Sequence, residues 1–304
     1  MAAVIEAHNL IKKYGTTLAV DGVGFDVQAG EVFGMVGPNG AGKTTTIECL
    51  EGLRRADSGQ VRILGLDPLT QREEIAERIG VQLQESNLPA RLKTGEALEL
   101  FGAFYVEPAA TADLLERLGL SEKRAAPVSK LSGGQRQRLF IALALVNRPE
   151  IVFFDELTTG LDPQARRAMW ALVGEIRDQG CTVFLTTHSM EEAERLCDRV
   201  AILDRGRIVA LDTPQGLIRS LGVENRLVFT VPAGQALPDL AGLAGVERVE
   251  VNGERVLVSG RGRRFTSTVV GALEEAELQF LDLRTEQPNL EDVFLALTGR
   301  QIRE

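Results

Sequence analysis

Short apolar runs and helix-spaced apolar positions alternate along most of this chain. Val4–Ile11, Gly24–Val27, Val32–Val36, Val61–Leu64 and Gly80–Leu83 read as strands. Ile151–Phe154 is wholly apolar and stops at Asp155, the pattern of a parallel strand buried on both faces, and Thr182–Thr186 reads as another strand. Between these, Ala97, Leu98, Leu100, Phe101 and Phe104 recur at helical spacing, as do Leu114, Leu115, Leu118 and Leu120, with Glu107-Pro108 separating the two sets. Further helices are expected over Thr46–Leu53, Gln135–Val146, Ala165–Gln179 and Glu191–Cys197, and a hairpin over Val200–Leu203 and Arg207–Leu211. Trp170 and the Phe101/Phe104 pair sit on helical patterns and are expected in the core. Strands alternating with helices predict an α/β fold with a doubly wound parallel sheet.

Near Leu221-Gly222 the texture changes. Strand (Arg226–Val231), short helix, strand (Val246–Val251), strand (Arg255–Ser259), helix (Thr266–Ala276), strand (Gln279–Arg284) and helix (Leu290–Leu297) follow in order. Asn252-Gly253 between two alternating runs is a type I′ hairpin signal. The order suggests a small α+β sandwich of the split βαβ type. Two domains are therefore expected, residues 1–220 and 221–304.

Composition narrows the class. Apolar residues make up 44% and charged residues 25%, enough for a real core. No charge-free stretch approaches the roughly 20 apolar residues of a membrane-spanning helix. The opening MAAVIEAHNL lacks the basic and apolar regions of a secretory signal. With 34 basic and 43 acidic residues the net charge is −9, which argues against nucleic-acid or anionic-lipid binding. From residue 222 onward there are 13 acidic and 9 basic residues and no lysine, so the tail is not a basic arm; Arg261-Gly-Arg-Arg264 reads as a solvated loop. Cys49, Cys181 and Cys197 form no CxxC pair and suit reduced thiols in a cytosolic protein rather than a disulfide framework or zinc site.

The chemistry begins at Gly37-Pro38-Asn39-Gly40-Ala41-Gly42-Lys43-Thr44-Thr45, which fits the pattern G-x-x-x-x-G-K-[ST] between a strand and a helix. Such a turn aims backbone N–H groups and a helix N-terminus at one point, where phosphate is favoured. The glycines permit the backbone angles and the close approach. Lys43 is placed to reach the terminal phosphates of a nucleotide, and Thr44 to offer a hydroxyl to Mg²⁺. At the end of the strand Ile151–Phe154, Asp155 can hold that metal, and Glu156, one step further, can orient or deprotonate an attacking water.

Leu131-Ser132-Gly133-Gly134-Gln135, before a helix-forming run, completes a set that resembles the ATP-binding subunits of ABC transporters. The resemblance covers about residues 3–215 and includes seven motifs in the family's order. It implies a P-loop ATPase with a RecA-like parallel sheet, an antiparallel β subdomain and a helical signature subdomain at about 90–145, followed by the small C-terminal α+β domain. By resemblance, Ser132, Gly133, Gly134 and Gln135 contact ATP held by the other subunit of a head-to-tail homodimer. Tyr14 resembles the aromatic that stacks on adenine. Gln84 resembles the glutamine that senses Mg²⁺ and faces the membrane partner. Gly160-Leu161-Asp162 resembles the loop that crosses to the second subunit, and His188 the histidine that touches the γ-phosphate. One departure is Leu157, where the family usually has proline.

The run Glu286–Arg300 is similar to the end of the daunorubicin-resistance type of subunit, which implies an exporter of drug-like, lipid or polysaccharide molecules with a separate ABC-2-type membrane permease. That places the chain in the cytoplasm, peripheral on the inner face of the membrane. The competing reading is a soluble ABC-type ATPase acting on DNA or ribosomes. It is disfavoured by the single motif set, the lack of heptads and the acidic charge.

Overall fold

The computed structural model describes residues 3–82, 88–222, 225–232 and 235–299. In chain order the elements are β1 (Ala3–Tyr14), β2 (Thr17–Gln28), β3 (Val32–Val36), α1 (Lys43–Leu50), β4 (Ser58–Ile63), α2 (Arg72–Ala76), β5 (Ile79–Gln82), α3 (Thr94–Gly102), α4 (Thr111–Arg117), α5 (Gly133–Ala144), β6 (Ile151–Asp155), α6 (Pro163–Asp178), β7 (Thr182–Thr187), α7 (Met190–Leu196), β8 (Arg199–Asp204), β9 (Arg207–Asp212), α8 (Pro214–Ser220), β10 (Asn225–Thr230), β11 (Val246–Asn252), β12 (Arg255–Gly260), α9 (Phe265–Glu275), β13 (Leu281–Glu286) and α10 (Leu290–Thr298). They fall into two compact units, Met1–Pro214 and Gln215–Gln301.

The first unit is built on a sheet of order β5-β6-β7-β3-β8-β9. Its neighbours are parallel except for the β8–β9 hairpin. Every residue of β3, β6 and β7 is buried, which is why these strands read as continuous apolar runs rather than alternating ones. Phe33, Phe153 and Phe184 pack as neighbouring rings on one face, with Phe25 of β2 stacked on Phe33 at 5.2 Å between ring centroids. Parallel register sets Asp155 beside Thr186, and Val36 beside Thr187, so the carboxyl ends of three strands open at one edge.

A second, antiparallel sheet of order β2-β1-β4 lies beside the first. Here β1 and β2 are each 12 residues long, far beyond the short runs that hydropathy suggests. Their polar ends, Lys12, Lys13 and Thr17, are paired through a tight turn at Gly15, whose φ of +57° falls in the left-handed region.

Helices α3, α4 and α5 pack through Leu98, Leu114, Leu115 and Leu139, all buried. The expected core role of Phe104 is corrected: α3 stops at Gly102, the helical phase ends with it, and Phe104 is 71% exposed, edge-on to Phe101. Trp170 is buried. The tail of α5 is fixed to β5 by direct backbone approach. A Cβ at Gly80 would lie 1.8 Å from Ala144 O, and Asn147 Nδ2 donates to Ile79 O at 2.8 Å.

The second unit has a sheet of order β11-β12-β10-β13, antiparallel throughout. That is the strand order of a split βαβ arrangement. Leu227, Phe229, Val256 and Val258 face Phe265, Val269 and Leu273 of α9 to make its core. The short helix expected between β10 and β11 is absent from described residues 235–245. Pro238 interrupts the stretch, and Asp239 Oδ1 accepts hydrogen bonds from the backbone of Ala241 and Gly242, closing a turn instead. Arg261 is drawn into an ion pair with Glu247 at 2.8 Å.

Candidate nucleotide site

The loop between β3 and α1 curls around its own lysine. Lys43 Nζ donates to Gly37 O at 2.8 Å and to Pro38 O at 3.2 Å, and its side chain is only 4% exposed. Two of the loop glycines are demanded by neighbouring backbone. A Cβ at Gly37 or at Gly42 would lie 2.2 Å from the carbonyl oxygen of Leu203 or Ala19, respectively. Gly42 also has φ +106°, so any side chain there is doubly opposed. The mouth at Asn39 and Gly40 is exposed, and α1 starts without a side-chain cap. Its first N–H groups therefore face the space inside the loop with no intrahelical acceptor.

Across this space stand the ends of β6 and β7. Asp155 is buried and accepts hydrogen bonds from the hydroxyls of Thr186 and Thr44. Burial is the main cause that raises the pKa of its carboxyl above the ordinary value, and the Thr186 bond opposes it. Glu156 carries φ +52°, and its N–H donates to Thr186 O at 3.1 Å. That bend turns its carboxylate back over the loop. Glu156 Oε1 is 3.6 Å from Lys43 Nζ and 3.6 Å from His188 Nδ1, while Thr159 Oγ1 donates to Oε2 at 3.3 Å. Burial lowers the Lys43 pKa, and Glu156 and then Asp155 pull it back up.

One lysine, two carboxylates, two threonine hydroxyls and a histidine thus converge from three stretches of chain. A buried carboxylate whose partners are hydroxyls, beside Thr44, suits a hard divalent cation with oxygen ligands. An uncapped helix end with a sheltered ammonium suits a polyphosphate. Thr186 is the member of this group that motif reading omits. It reaches Asp155 only because β6 and β7 are neighbours in register, a relation that no local pattern carries.

The other residues singled out from sequence sit as follows. Ser132 caps α5: its Oγ accepts from Gln135 N at 3.3 Å, and Gln135 Oε1 accepts from Ser132 N at 3.0 Å. Ser132 and Gly133 are exposed, and Gly134 is half-buried. Asp162 caps α6, accepting from Gln164 N and Ala165 N at 2.9 Å each. Tyr14 is 42% exposed, with Lys12 Nζ and Arg54 Cζ 5.8 and 5.3 Å from its ring centroid. Leu157, at the position where proline was expected, is buried. Gln84 lies outside the described residues.

Comparison with known proteins decides the family. The ABC transporter family model matches residues 20–159. Over 310 residues the chain is 40% identical to the Nod factor export ATP-binding protein I of Ralstonia nicotianae, covering 99% of this chain and 95% of that one. The namesake from Paraburkholderia xenovorans is 42% identical over 312 residues, with 99% of each chain covered. The chain belongs to the ATP-binding subunits of ABC transporters. Among solved structures, an ATP-binding subunit of an ABC transporter superposes with TM-score 0.65 at 29% identity, covering 72% of this chain and 93% of that one. A dimeric ATP-binding cassette in a post-hydrolysis state, bound to ADP and Pi, gives 0.62 at 26% identity, covering 69% of this chain and 98% of that one. As an ABC subunit the protein is an ATPase of a family that binds ATP. Among the described residues no helix is long and apolar enough to cross a membrane.

Proposed function

We propose that this ABC ATPase drives export through a separate membrane permease of the ABC-2 type, docked on the cytoplasmic face of the membrane. The export names of its relatives and the resemblance of Glu286–Arg300 to the daunorubicin-resistance subunits support this reading. The transported molecule belongs to the drug-like, lipid or polysaccharide class.

The observation that carries the mechanism is the meeting of Glu156, Lys43 and His188 around one carboxylate oxygen. Lys43 and the α1 N-terminus hold the β- and γ-phosphates of ATP. Thr44 and Asp155 would hold Mg²⁺, with Gln84 as a further partner. Bound Mg²⁺ supplies charge neutralisation on the phosphate oxygens. When the γ-phosphate draws Lys43 toward itself, Glu156 is released from its ion pair. Its carboxylate then orients a water and takes that water's proton as the oxygen attacks phosphorus and the bond to ADP breaks. His188 donates to a γ-phosphate oxygen and keeps Glu156 aimed. Tyr14 stacks on the adenine.

In a head-to-tail homodimer, Ser132–Gln135 of one subunit closes over the ATP held by the other, and the loop at Asp162 crosses the interface. Ser132 is already fixed by its capping box, so the signature turn arrives preformed. Residues 221–304 act as an accessory domain without phosphate contacts. The test is to reconstitute the chain with its candidate permease in vesicles and measure Mg²⁺-dependent phosphate release. The expected result is release that rises when the permease is present. Equal release with and without every membrane partner, or release independent of Mg²⁺, overturns the reading.

A further inference from the structure

Strand β7 reads Thr182-Val183-Phe184-Leu185-Thr186-Thr187, and every residue of it is buried. Thr186 lies inside the sheet, paired with Met35 of β3 on one side and Asp155 of β6 on the other, and is 0% exposed. Valine has the same branched shape, suits a strand equally well and buries no hydroxyl. Here the hydroxyl serves two acids at once. Thr186 Oγ1 accepts from the N–H of Glu156 at 3.3 Å, beside the bond of 3.1 Å from the same N–H to Thr186 O. A hydroxyl has a single proton to give, and with a lone pair facing that N–H the proton goes to Asp155 Oδ1. One carboxylate oxygen is thereby tied to β7, while Thr44 bonds the same carboxyl from the loop side. Glu156 stands at φ +52°, a left-handed conformation that few residues other than glycine adopt. Thr186 supplies both acceptors for the N–H at this bend.

We propose that Thr186 is a positioning residue for ATP hydrolysis: given the roles proposed above for Asp155 and Glu156, its hydroxyl fixes the metal-holding acid and the water-orienting acid relative to each other. Asp155 is the last residue of β6 and Glu156 the first beyond it, so the sheet alone holds only the first. Thr186 extends that hold across the bend. Closed to solvent, it acts through the two acids and not on substrate. Without the hydroxyl, the Asp155 carboxylate loses a donor inside a buried site and is free to turn, and Glu156 keeps a single backbone bond. Misplacing reacting groups by about 1 Å is enough to cost roughly 10²-fold in rate.

The test compares the full chain with Thr186→Val, Thr186→Ser and Asp155→Asn. Mn²⁺ is titrated into each protein loaded with one equivalent of ADP, and binding is read from the loss of the free-ion electron paramagnetic resonance signal. Thr186→Val should weaken Mn²⁺ binding about tenfold or more, the scale of one hydrogen bond to a charged group. Its ADP affinity in chelator should stay within about twofold of native. In turnover, kcat should fall about tenfold or more and the Mg²⁺ concentration for half-maximal rate should rise about tenfold, with KM for ATP changing less. Thr186→Ser, which keeps the hydroxyl, should recover all of these. Adding Thr186→Val to Asp155→Asn should weaken Mn²⁺ binding no further. Native Mn²⁺ binding in Asp155→Asn overturns the metal role of Asp155 itself. Weakened binding in Asp155→Asn with native Mn²⁺ binding and kcat in Thr186→Val overturns the role of Thr186 alone. Equal loss of metal-free ADP affinity, or no recovery in Thr186→Ser, marks a general disruption and also overturns it. If Thr186→Val does not fold, Thr186→Ala carries the same comparison.

Discussion

Lys43 and Glu156 face each other 3.6 Å apart across the candidate nucleotide site, with side chains only 4% and 8% exposed. In the proposed mechanism each is the other's counter-charge until phosphate arrives. Replacing Glu156 by Gln would remove the proposed base yet leave the ammonium free for phosphate. Glu156→Gln should therefore keep ATP binding and accumulate an ATP-bound dimer. Turnover should fall on the general-base scale of about 10² to 10⁴. Phosphate release with size-exclusion chromatography checks this, and near-native turnover contradicts it.

Lys43→Ala should weaken ATP binding itself. Loss of a charge-assisted contact to phosphate corresponds to about 1.5–3 kcal/mol, which calorimetry resolves. The variant also leaves Glu156 buried without its cation, so the free protein should melt lower than the native chain.

Glu51, at the end of α1, is buried with neither carboxyl oxygen hydrogen-bonded, and its pKa is pushed up to about 8, by burial first and then by Asp155 and Glu48. A raised carboxyl pKa means that the folded state binds more protons than the unfolded state between about 4.5 and 8. Stability should then fall as pH rises through that window. Glu51→Gln removes the effect, so its melting temperature should draw ahead of the native chain from pH 5 toward about 8. The comparison is made without nucleotide and with chelator. A constant difference across the window counts against it.

Trp170 Nε1 donates to Glu192 Oε1 at 3.1 Å, and Glu192 is 2% exposed. Trp170→Phe strands that carboxylate and should cost about 1–3 kcal/mol in denaturant unfolding. Adding Glu192→Leu should restore part of the loss, and a purely additive double mutant would contradict this coupling.

A chain cut near residue 220 should remain soluble and bind ATP with native affinity, because the convergent side chains all precede Ser189. Insolubility or loss of binding would show that the second unit is needed for the first to fold.

The central strands were legible because each is buried on both faces, and hydropathy alone marks such runs: Ile151–Phe154 reappears as β6 and Thr182–Thr186 as β7. The first two strands were not, since half of β1 and β2 lies in polar residues held by cross-strand pairing around Gly15. The motifs named Lys43, Asp155 and Glu156 locally. Their meeting depends on the order β6-β7-β3, and Thr186 joins them through register alone. Gly37 and Gly42 suggested close approach of a ligand; the atoms crowding them belong to Leu203 and Ala19. The helix expected after β10 failed because Asp239 satisfied the backbone locally, a competition that apolar spacing does not register.

The contact of Gly80 with Ala144 has a mechanical meaning. With no side chain between the two backbones, and Asn147 bonded across them, the far end of α5 has little slack. The helix is then a lever of about 18 Å, from 12 residues at roughly 1.5 Å each. A tilt of about 10° about that fixed end would carry Ser132 through roughly 3 Å, about the length of one hydrogen bond. A bulkier residue at position 80 would prise the fulcrum open and blunt the stroke before it touched any phosphate contact.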